Sequence, residues 1–262
     1  MINFNRIRAM IYRYWLNLTH NYDRLSDLFY WPALDLFIWG LVGLYFAQRS
    51  SNSIQSVPII LTGLVFWLII WRGQYEINLN ILAEFWDKNL VNLFVSPLKT
   101  QEWMISFLVF GFIKTIISVS FSASLSYLLY GYNVFDFGLY LIPFSLSLLM
   151  TGWAFGFIIA GFIIRFGTRI QTMAWAGAAL LSPFSAAFYP ISALPSWAQT
   201  IAKAIPASYI FEEMRSLLFT GKVEIDKLIL SFALNIIYLI ISMSFFIFMF
   251  RKSKQHGIGN LV

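Results

Sequence analysis

The sequence has no cysteine, and its two histidines, His20 and His256, stand alone near the ends of the chain. The lack of cysteine excludes disulfides and thiolate metal sites, and two isolated histidines do not form a metal centre or a catalytic centre. We therefore expect neither a metal site nor a catalytic residue. The sequence also lacks a G-x-x-x-x-G-K-[ST] motif, so it has no P-loop to hold a nucleotide phosphate.

Charge is also scarce. Charged residues make up 11% of the chain, whereas soluble domains have about a quarter. Hydrophobic residues make up 59%, and the mean hydropathy is +0.71. A water-soluble fold cannot bury this much apolar surface, so lipid must be the solvent for much of the chain. The net charge of +6 comes from cations at the ends of apolar runs, and we expect no binding of nucleic acid.

The apolar runs predict an all-α integral membrane protein, with a single transmembrane domain over 1–262. We expect six transmembrane helices within 28–250, at 28–47, 57–77, 103–130, 137–164, 170–189 and 228–250. The segment 1–27 is rich in charged and aromatic residues and does not resemble a signal peptide. The last residues, 251–262, form a basic tail.

The segment before the first span is amphipathic. Its apolar residues recur at the spacing of one helical face, and they are Phe4, Ile7, Ile11, Tyr14, Trp15 and Leu18. Arginines lie beside this face. The pattern predicts an amphipathic helix in the membrane interface on the cytoplasmic side. Packing on a soluble partner, or on the spans themselves, is the alternative.

The distribution of lysine and arginine predicts the orientation. Twelve of the 18 lie at one set of span ends, five lie at the other set, and Lys114 lies within the third span. Because cytoplasmic ends carry the excess of positive charge, both termini are expected in the cytoplasm.

The long connection 78–102 is predicted to be cytoplasmic and to contain an amphipathic helix that ends at Pro97. Its apolar residues at helical spacing are Leu82, Phe85, Trp86, Leu93 and Phe94, and the polar residues between them are Glu84, Asp87, Lys88 and Asn92. Such a helix must dock onto another surface. That surface is either the membrane or a soluble partner.

The other long connection, 189–227, is predicted to lie on the outer side. It is too apolar for an exposed loop, and prolines break it too often for a span. The preceding helix also breaks, at Ser182-Pro183. Short helices that enter the membrane and return fit this pattern, which is tolerated only where protein or a water-filled cavity covers the backbone. The segment is therefore a candidate for the outer end of a transport path.

Two charges are predicted to lie inside spans. Asp35 and Lys114 are about 10 Å and about 16 Å from the cytoplasmic span ends at the helical rise. Charges at such depth usually face protein or water, and we favour a structural pair between these two residues. A coupling-ion or substrate site is the alternative. Arg72 and Glu76 stand one turn apart and are expected to form a local pair.

Small residues recur every fourth position on the fourth span, at Gly152, Gly156 and Ala160. Ala174 and Ala178 have the same spacing on the fifth. Small residues at this spacing allow helices to approach closely, within one subunit or between two.

These segments, in this order, resemble the permease subunit of a type-2 ABC exporter. The most specific stretches are VSPLKTQEW and YPISALPSW…P…Y…EEMR, and the resemblance covers essentially the whole chain. The group includes drug, nodulation-factor and O-antigen or teichoic-acid export permeases. The resemblance implies a multi-pass protein of a bacterial cytoplasmic membrane that forms the path for an amphiphile, a lipid-linked glycan or a drug-like substrate.

The resemblance also implies two functional regions. One is a coupling helix seated in a cleft of a soluble ABC ATPase subunit, for which the candidate residues are Glu84, Phe85, Trp86, Asp87, Lys88, Leu90, Leu93 and Phe94. The other is an outer gate, for which the candidates are Pro183, Phe184, Tyr189, Pro190, Pro195, Trp197, Pro206, Glu212 and Arg215. Two permeases, as a homodimer among membrane lipids, would act with two ATPases. ATP and Mg would bind to the ATPases, with no cofactor in this chain.

Two other functions remain open at the level of the sequence. An ion-coupled secondary transporter would use Asp35 or Lys114 and would be expected to show an internal repeat, which the two halves do not display. A non-transporting membrane assembly factor would need neither an outer hairpin nor an ATPase.

Overall fold

The computed structural model describes residues 2–49 and 56–255, and within these ranges the chain is helical and has no strand. The helices are α1 Phe4–Thr19, α2 Tyr22–Asp27, α3 Tyr30–Arg49, α4 Ser56–Trp86, α5 Leu90–Val95, α6 Thr100–Tyr130, α7 Leu141–Phe166, α8 Thr172–Ala176, α9 Ser196–Ala204, α10 Pro206–Thr220 and α11 Ile225–Gln255. Short 3-10 turns precede α7 and connect α7 to α9. We call the end of the bundle with the α4–α6 connection the loop end, and the end with α9 and α10 the hairpin end.

Five helical segments of the described residues are long and apolar enough to cross a membrane. They are Tyr22–Phe46, Val57–Trp86, Thr100–Tyr130, Val134–Ile170 and Ile225–Gln255. This confirms the predicted all-α membrane fold. Five of the six predicted spans fall largely within these segments.

The remaining predicted span, 170–189, is not one regular helix. It consists of short α and 3-10 pieces, which are Gly167–Ile170, Thr172–Ala176, Ala178–Leu180 and Ser182–Phe184. The joints at Gln171, Gly177 and Leu181 keep right-handed helical φ and ψ, so the chain holds its direction. Pro183 has no N–H to donate, which helps to explain the last interruption. We call this segment the irregular helix.

The irregular helix lies antiparallel to α4. The side-chain amide of Gln74 donates to the carbonyl of Ala174 at 2.8 Å and accepts from the N–H of Ala178 at 3.0 Å. Towards the hairpin end, a Cβ on Gly63 would come within 2.7 Å of the ring of Phe188. The segment therefore runs along α4 towards the hairpin end. A sixth crossing stays a prediction.

Helix α4 continues past the predicted end of its span at Ile77 and ends at Trp86. The sequence pattern had predicted a separate helix in the connection. No glycine or proline lies between Gly73 and Pro97, so nothing in the chain stops the helix where the apolar run ends. The start of the predicted coupling helix is thus the last part of a spanning helix.

The length of α4 carries its last turns beyond the lipid hydrocarbon. Its 31 residues rise about 46 Å, whereas the hydrocarbon core is about 30 Å thick. Two buried amides in this part bond to carbonyls one turn earlier, Asn78 to Gln74 at 2.9 Å and Asn80 to Glu76 at 2.7 Å. These bonds give each buried amide nitrogen a partner, which lowers the cost of burial, whereas the amide oxygen of Asn78 has no partner among the described residues.

Small residues bring α4 and α7 together. A Cβ on Gly152 would lie 2.5 Å from the carbonyl oxygen of Ile70, and one on Gly156 would lie 3.1 Å from the Cα of Gln74. The predicted close approach is confirmed, and it occurs within the chain, between the second and fourth predicted spans.

Hydrogen bonds between side chains join α7 to α11. The Ser147 and Ser231 hydroxyls lie 2.8 Å apart, and Thr151 donates to the Asn235 amide at 2.9 Å. Asn235 in turn donates to the carbonyl of Ser147 at 2.9 Å. Small and polar residues therefore hold the interior of the bundle together.

Candidate coupling surface and outer hairpin

The α4–α6 connection is closely tied by its own backbone. Lys88 has a left-handed φ of 51°, and the next N–H, of Asn89, donates to the carbonyl of Glu84 at 2.9 Å, which closes α4. The chain then forms the short helix α5. The carboxylate of Glu102 accepts the N–H of Lys99 at 2.9 Å and so caps the start of α6.

One face of this connection is open and partly apolar. Trp86 is 45% exposed, Val91 is 56% exposed, and Val95 is 80% exposed. Asp87 and Lys88 are exposed beside them. Val91 and Val95 lie one turn apart on α5, so their side chains share a face. Exposed apolar side chains bordered by charges are typical of an interaction site. We call these five residues the loop face.

Helix α1 holds the connection from behind. The Arg13 guanidinium donates to the carboxylate of Glu84 at 2.8 Å, and the Asn89 amide donates to the same oxygen at 2.7 Å. Burial lowers the pKa of Arg13, but the hydrogen bond to Glu84 and the negative charges of Glu84, Tyr14 and Asp87 together outweigh it, so the pKa is raised. Glu84 therefore links α1, α4 and the connection.

A second set of bonds joins α1 to the start of α6. Arg6 donates to the carbonyl of Pro97 at 2.6 Å and lies 3.5 Å from the carboxylate of Glu102. The N–H of Asn3 donates to Glu102 at 2.8 Å. The connection is therefore tied to α1 at both of its ends.

The apolar face of α1 packs on the spans. Its buried residues are Ile7, Met10, Tyr14 and Leu18. The indole of Trp103 donates to the Tyr14 hydroxyl at 2.8 Å, and burial raises the pKa of Tyr14. Phe4 and Trp15 of the predicted face are 80% and 40% exposed. The helix therefore packs on the spans with one face and leaves aromatic rings free for a lipid interface.

The structure divides the predicted coupling residues into two groups. The exposed ones are Trp86, Asp87 and Lys88, and the buried ones are Glu84, Phe85 and Leu90. Leu93 is half-buried, and the side chain of Phe94 lies outside what the structure describes. The buried residues lie beneath the loop face and support it. Val91 and Val95 were missed because the chain breaks at 87–89, and α5 starts a new face. Their spacing of four was the available signal.

Four buried or nearly buried charges form a network between α2, α4 and α6. Arg72 lies 2.6 Å from the carboxylate of Asp27 and 3.2 Å from that of Glu76. Lys114 lies 2.6 Å from Glu76. The predicted local pair of Arg72 and Glu76 is confirmed. The favoured pair of Asp35 with Lys114 is wrong, because Glu76 faces α6 where Gly111 leaves room for it.

Asp35 lies apart from this network. Its side chain is exposed, and it makes no hydrogen bond or ion pair with the residues that the structure describes. It lines a cavity of about 330 Å³ between α3, α4, α6 and the irregular helix.

At the hairpin end, one ion pair holds the turn that follows the irregular helix. Ala186 has a left-handed φ of 59°, and its carbonyl accepts from Arg215 at 2.6 Å. Arg215 lies 3.0 Å from Glu212, which accepts the N–H of Ile191 at 2.8 Å. Two predicted gate residues therefore fix the backbone of the hairpin.

Aromatic residues and prolines shape the rest of the hairpin. The rings of Phe184 and Trp197 meet edge to face at 6.0 Å, and the Tyr189 hydroxyl donates to the carbonyl of Pro183 at 2.6 Å. The remaining predicted residues, Pro190, Pro195 and Pro206, each stand at or next to the start of a helix or 3-10 turn, where the missing N–H is tolerated. The structure thus gathers the predicted gate residues at one end of the bundle.

Within the described residues, no group of three or more histidine, aspartate or glutamate side chains is placed to hold a metal ion.

The fold and these two regions define a multi-pass membrane protein with a structured loop at one end and a proline-rich hairpin at the other. The chain belongs to the ABC-2 type transporter family, whose model matches residues 5–219. The match contains α1, the loop face and nearly all of the hairpin through α10, and it confirms the resemblance seen in the sequence. The chain is therefore a permease, the membrane component of an ABC-2 transporter. Comparison with curated proteins found no match.

Proposed function

We propose that this permease exports an amphiphilic substrate and that a soluble ABC ATPase drives it by binding the loop face. The observation that carries the proposal is the pairing of an exposed, partly apolar surface with a rigid support beneath it. Trp86, Val91 and Val95 are open, while Glu84 behind them is 1% exposed and bonded to Arg13. A surface held in this way can transmit a displacement to the membrane-spanning helices.

The displacement would be transmitted through the contacts between the loop face and helices α4, α1 and α6. Trp86 is the last residue of α4, so a displacement of the loop face moves α4 directly. Through Arg13 the same displacement reaches α1, and through Tyr14 and Trp103 it reaches α6. Because packed helices move as rigid rods, closure of two ATPase subunits would tilt α4 and α6 together.

The working unit is two copies of this chain and two ATPases, with ATP and Mg bound by the ATPases. Twelve of the 18 basic residues lie at the loop end of the predicted spans, so the loop end lies in the cytoplasm. With six crossings, both termini lie there too. The hairpin then forms the outer gate. The membrane is the bacterial cytoplasmic membrane. Lys114 is paired with Glu76, which argues against the alternative of a secondary transporter that couples to an ion through Lys114.

Co-purification tests this proposal. The tagged permease is expressed together with the ABC ATPase of its host and purified in mild detergent. The ATPase should co-purify with it and should hydrolyse ATP. Val95→Asp places a charge on the loop face and should abolish both. Ile225→Asp, at an exposed apolar residue of the hairpin end, is the matched control and should retain both. Equal retention by both variants would contradict the proposed docking surface.

A further inference from the structure

A cavity inside the membrane-spanning region carries an unpaired acid. It has a volume of about 330 Å³ and lies between α3, α4, α6 and the irregular helix. The aromatic and polar residues of its lining are Trp31, Asp35, Trp67, Trp71, Ser122 and Ser182. We call it the Asp35 cavity.

Two oxygens in this cavity have no partner. Asp35 makes no ion pair with the described residues, and the hydroxyl of Ser122, a residue only 2% exposed, has no hydrogen-bond partner there. A carboxylate in a membrane span normally faces a cation or water, and a buried hydroxyl normally finds a partner. Both oxygens can accept a hydrogen bond from a donor that enters the cavity.

The protein does not supply that donor. Of the described cations on the neighbouring helices, Arg72 and Lys114 are paired with other carboxylates, at 2.6 Å to Asp27 and 2.6 Å to Glu76 respectively. Arg169, in the first turn of the irregular helix, is exposed and does not line the cavity. No lysine or arginine lines the cavity in the described part of the chain. Asp35 is therefore left with its charge uncompensated by the chain.

The walls suit an organic cation. Three tryptophans line the cavity, and the faces of tryptophan rings attract cations more strongly than those of other side chains. The Trp71 ring already lies 5.0 Å from the Arg72 guanidinium and stacks on Tyr75, so Trp31 and Trp67 are the rings that remain for a ligand cation. Leu64 and Leu68 add an apolar surface for a hydrocarbon body. A group that combines an N–H-bearing cation with an apolar body would meet a partner on every side.

A second cavity leads from the loop end towards the first. It has a volume of about 620 Å³, and Trp31 lines both cavities. Its charged lining residues are Asp23, Arg24, Asp27 and Asp87. Because Asp27 is paired with Arg72, the charges that remain in this lining are those of Asp23, Asp87 and Arg24, a net of one negative charge. Acidic linings concentrate cations.

We propose that the Asp35 cavity binds the ammonium group of a cationic amphiphile, which reaches it through the acidic cavity at the loop end. The proposal rests on the proposed function, since it names the substrate class of that transport path. Asp35 balances the positive charge, Ser122 accepts an N–H, and the tryptophans enclose the apolar body. A neutral glycan or an anionic lipid would leave the Asp35 charge unmet.

Dye binding tests the proposal without any ATPase. Fluorescence anisotropy of rhodamine 123, a cationic xanthene with amino groups, is titrated with the purified full-length permease in detergent. Anionic fluorescein, on the same ring scaffold, is titrated in parallel. Rhodamine 123 should bind and fluorescein should not. Asp35→Asn should weaken the binding by about tenfold or more, since the carboxylate that pairs with the ammonium group is lost. Asp35→Glu should retain most of the binding.

Two further variants separate a site from general effects. Ser122→Ala should weaken rhodamine 123 binding by a few fold, roughly as expected for one hydrogen bond. Asp226→Asn removes an exposed carboxylate at the start of α11 and should change nothing. Equal binding of the two dyes, or equal affinity of the wild type and Asp35→Asn, would overturn the proposal. Loss of a dimer in Asp35→Asn with unchanged dye binding would also overturn it, by assigning Asp35 to a subunit contact. If dye binding depends on Asp35 but no ATPase co-purifies with the permease, the cation site is supported and the proposed ATP-driven function is contradicted.

Discussion

The ammonium group of Lys114 on α6 lies 2.6 Å and 2.7 Å from the two carboxylate oxygens of Glu76 on α4. Glu76 also bonds to Arg72, which is held by Asp27 before the first span. Two acids and two bases thus balance within one network. Because the network joins α2, α4 and α6, it fixes the spacing of α4 and α6.

Removal of one charge from this network should destabilise the fold. In Lys114→Met the negative charges of Glu76 and Asp27 face only Arg72, and breaking a buried pair from one side costs roughly 3–5 kcal/mol. The free energy of unfolding in mixed micelles measures the loss. Lys222→Met, at an exposed residue, should change it by less than about 0.5 kcal/mol. Equal stability of both variants would mean that the network does not hold the helices.

Release of α1 should loosen the α4–α6 connection. Arg13→Ala removes the bond to Glu84, whose other partner is Asn89 at the start of α5. We expect the amides of 89–95 to exchange hydrogen several-fold faster, as for the loss of about 1 kcal/mol from a half-exposed ion pair. Hydrogen exchange with mass spectrometry measures this. Arg8→Ala removes an exposed arginine of the same helix and should leave these amides unchanged.

A methyl group added at the α4–α7 contact should destabilise the protein. A Cβ on Gly152 would lie 2.5 Å from the carbonyl oxygen of Ile70, so Gly152→Ala must separate the helices. Overpacking of this kind costs about 1–3 kcal/mol in the free energy of unfolding. At Gly43 the nearest atom to an added Cβ is a flexible methyl of Ile60 at 3.5 Å. Gly43→Ala should therefore be tolerated, and similar losses in both variants would contradict the close contact.

The lack of cysteine makes the orientation directly measurable. Single cysteines at Val91 and Lys222 report the loop end and the hairpin end, since both side chains are exposed. In intact cells a membrane-impermeant maleimide should label Lys222→Cys and leave Val91→Cys unlabelled. Inverted vesicles should give the opposite pattern. Labelling of Val91→Cys in intact cells would reverse the predicted orientation.

The sequence predicted the all-α membrane fold and several contacts within it, because their signals are local. The register of α1 was visible from the spacing of Ile7, Tyr14 and Leu18, and the α4–α7 contact from Gly152 and Gly156. Each of these patterns depends on residues a few positions apart. Their structural consequences follow from the helical repeat.

Contacts between distant segments could not be predicted in the same way. Asp35 and Lys114 were expected to pair because each was the acid or base deepest in its span. In the structure, Glu76, inside α4, pairs with Lys114. That choice depends on which faces of α4 and α6 meet, which one sequence does not define. The break at 87–89 was also missed, since it depends on the left-handed Lys88 and not on a glycine or proline.

Cross-linking from the loop face tests the central claim most directly. A photoreactive maleimide on Val91→Cys, in the otherwise cysteine-free chain, should capture a protein that contains a P-loop, and the yield should change when ATP is added. The same reagent on Lys222→Cys should not capture it. Capture of a P-loop ATPase from Val91→Cys alone is the predicted result. Equal capture from both positions, or capture of lipid only from Val91→Cys, would contradict a loop face that couples this permease to an ATPase.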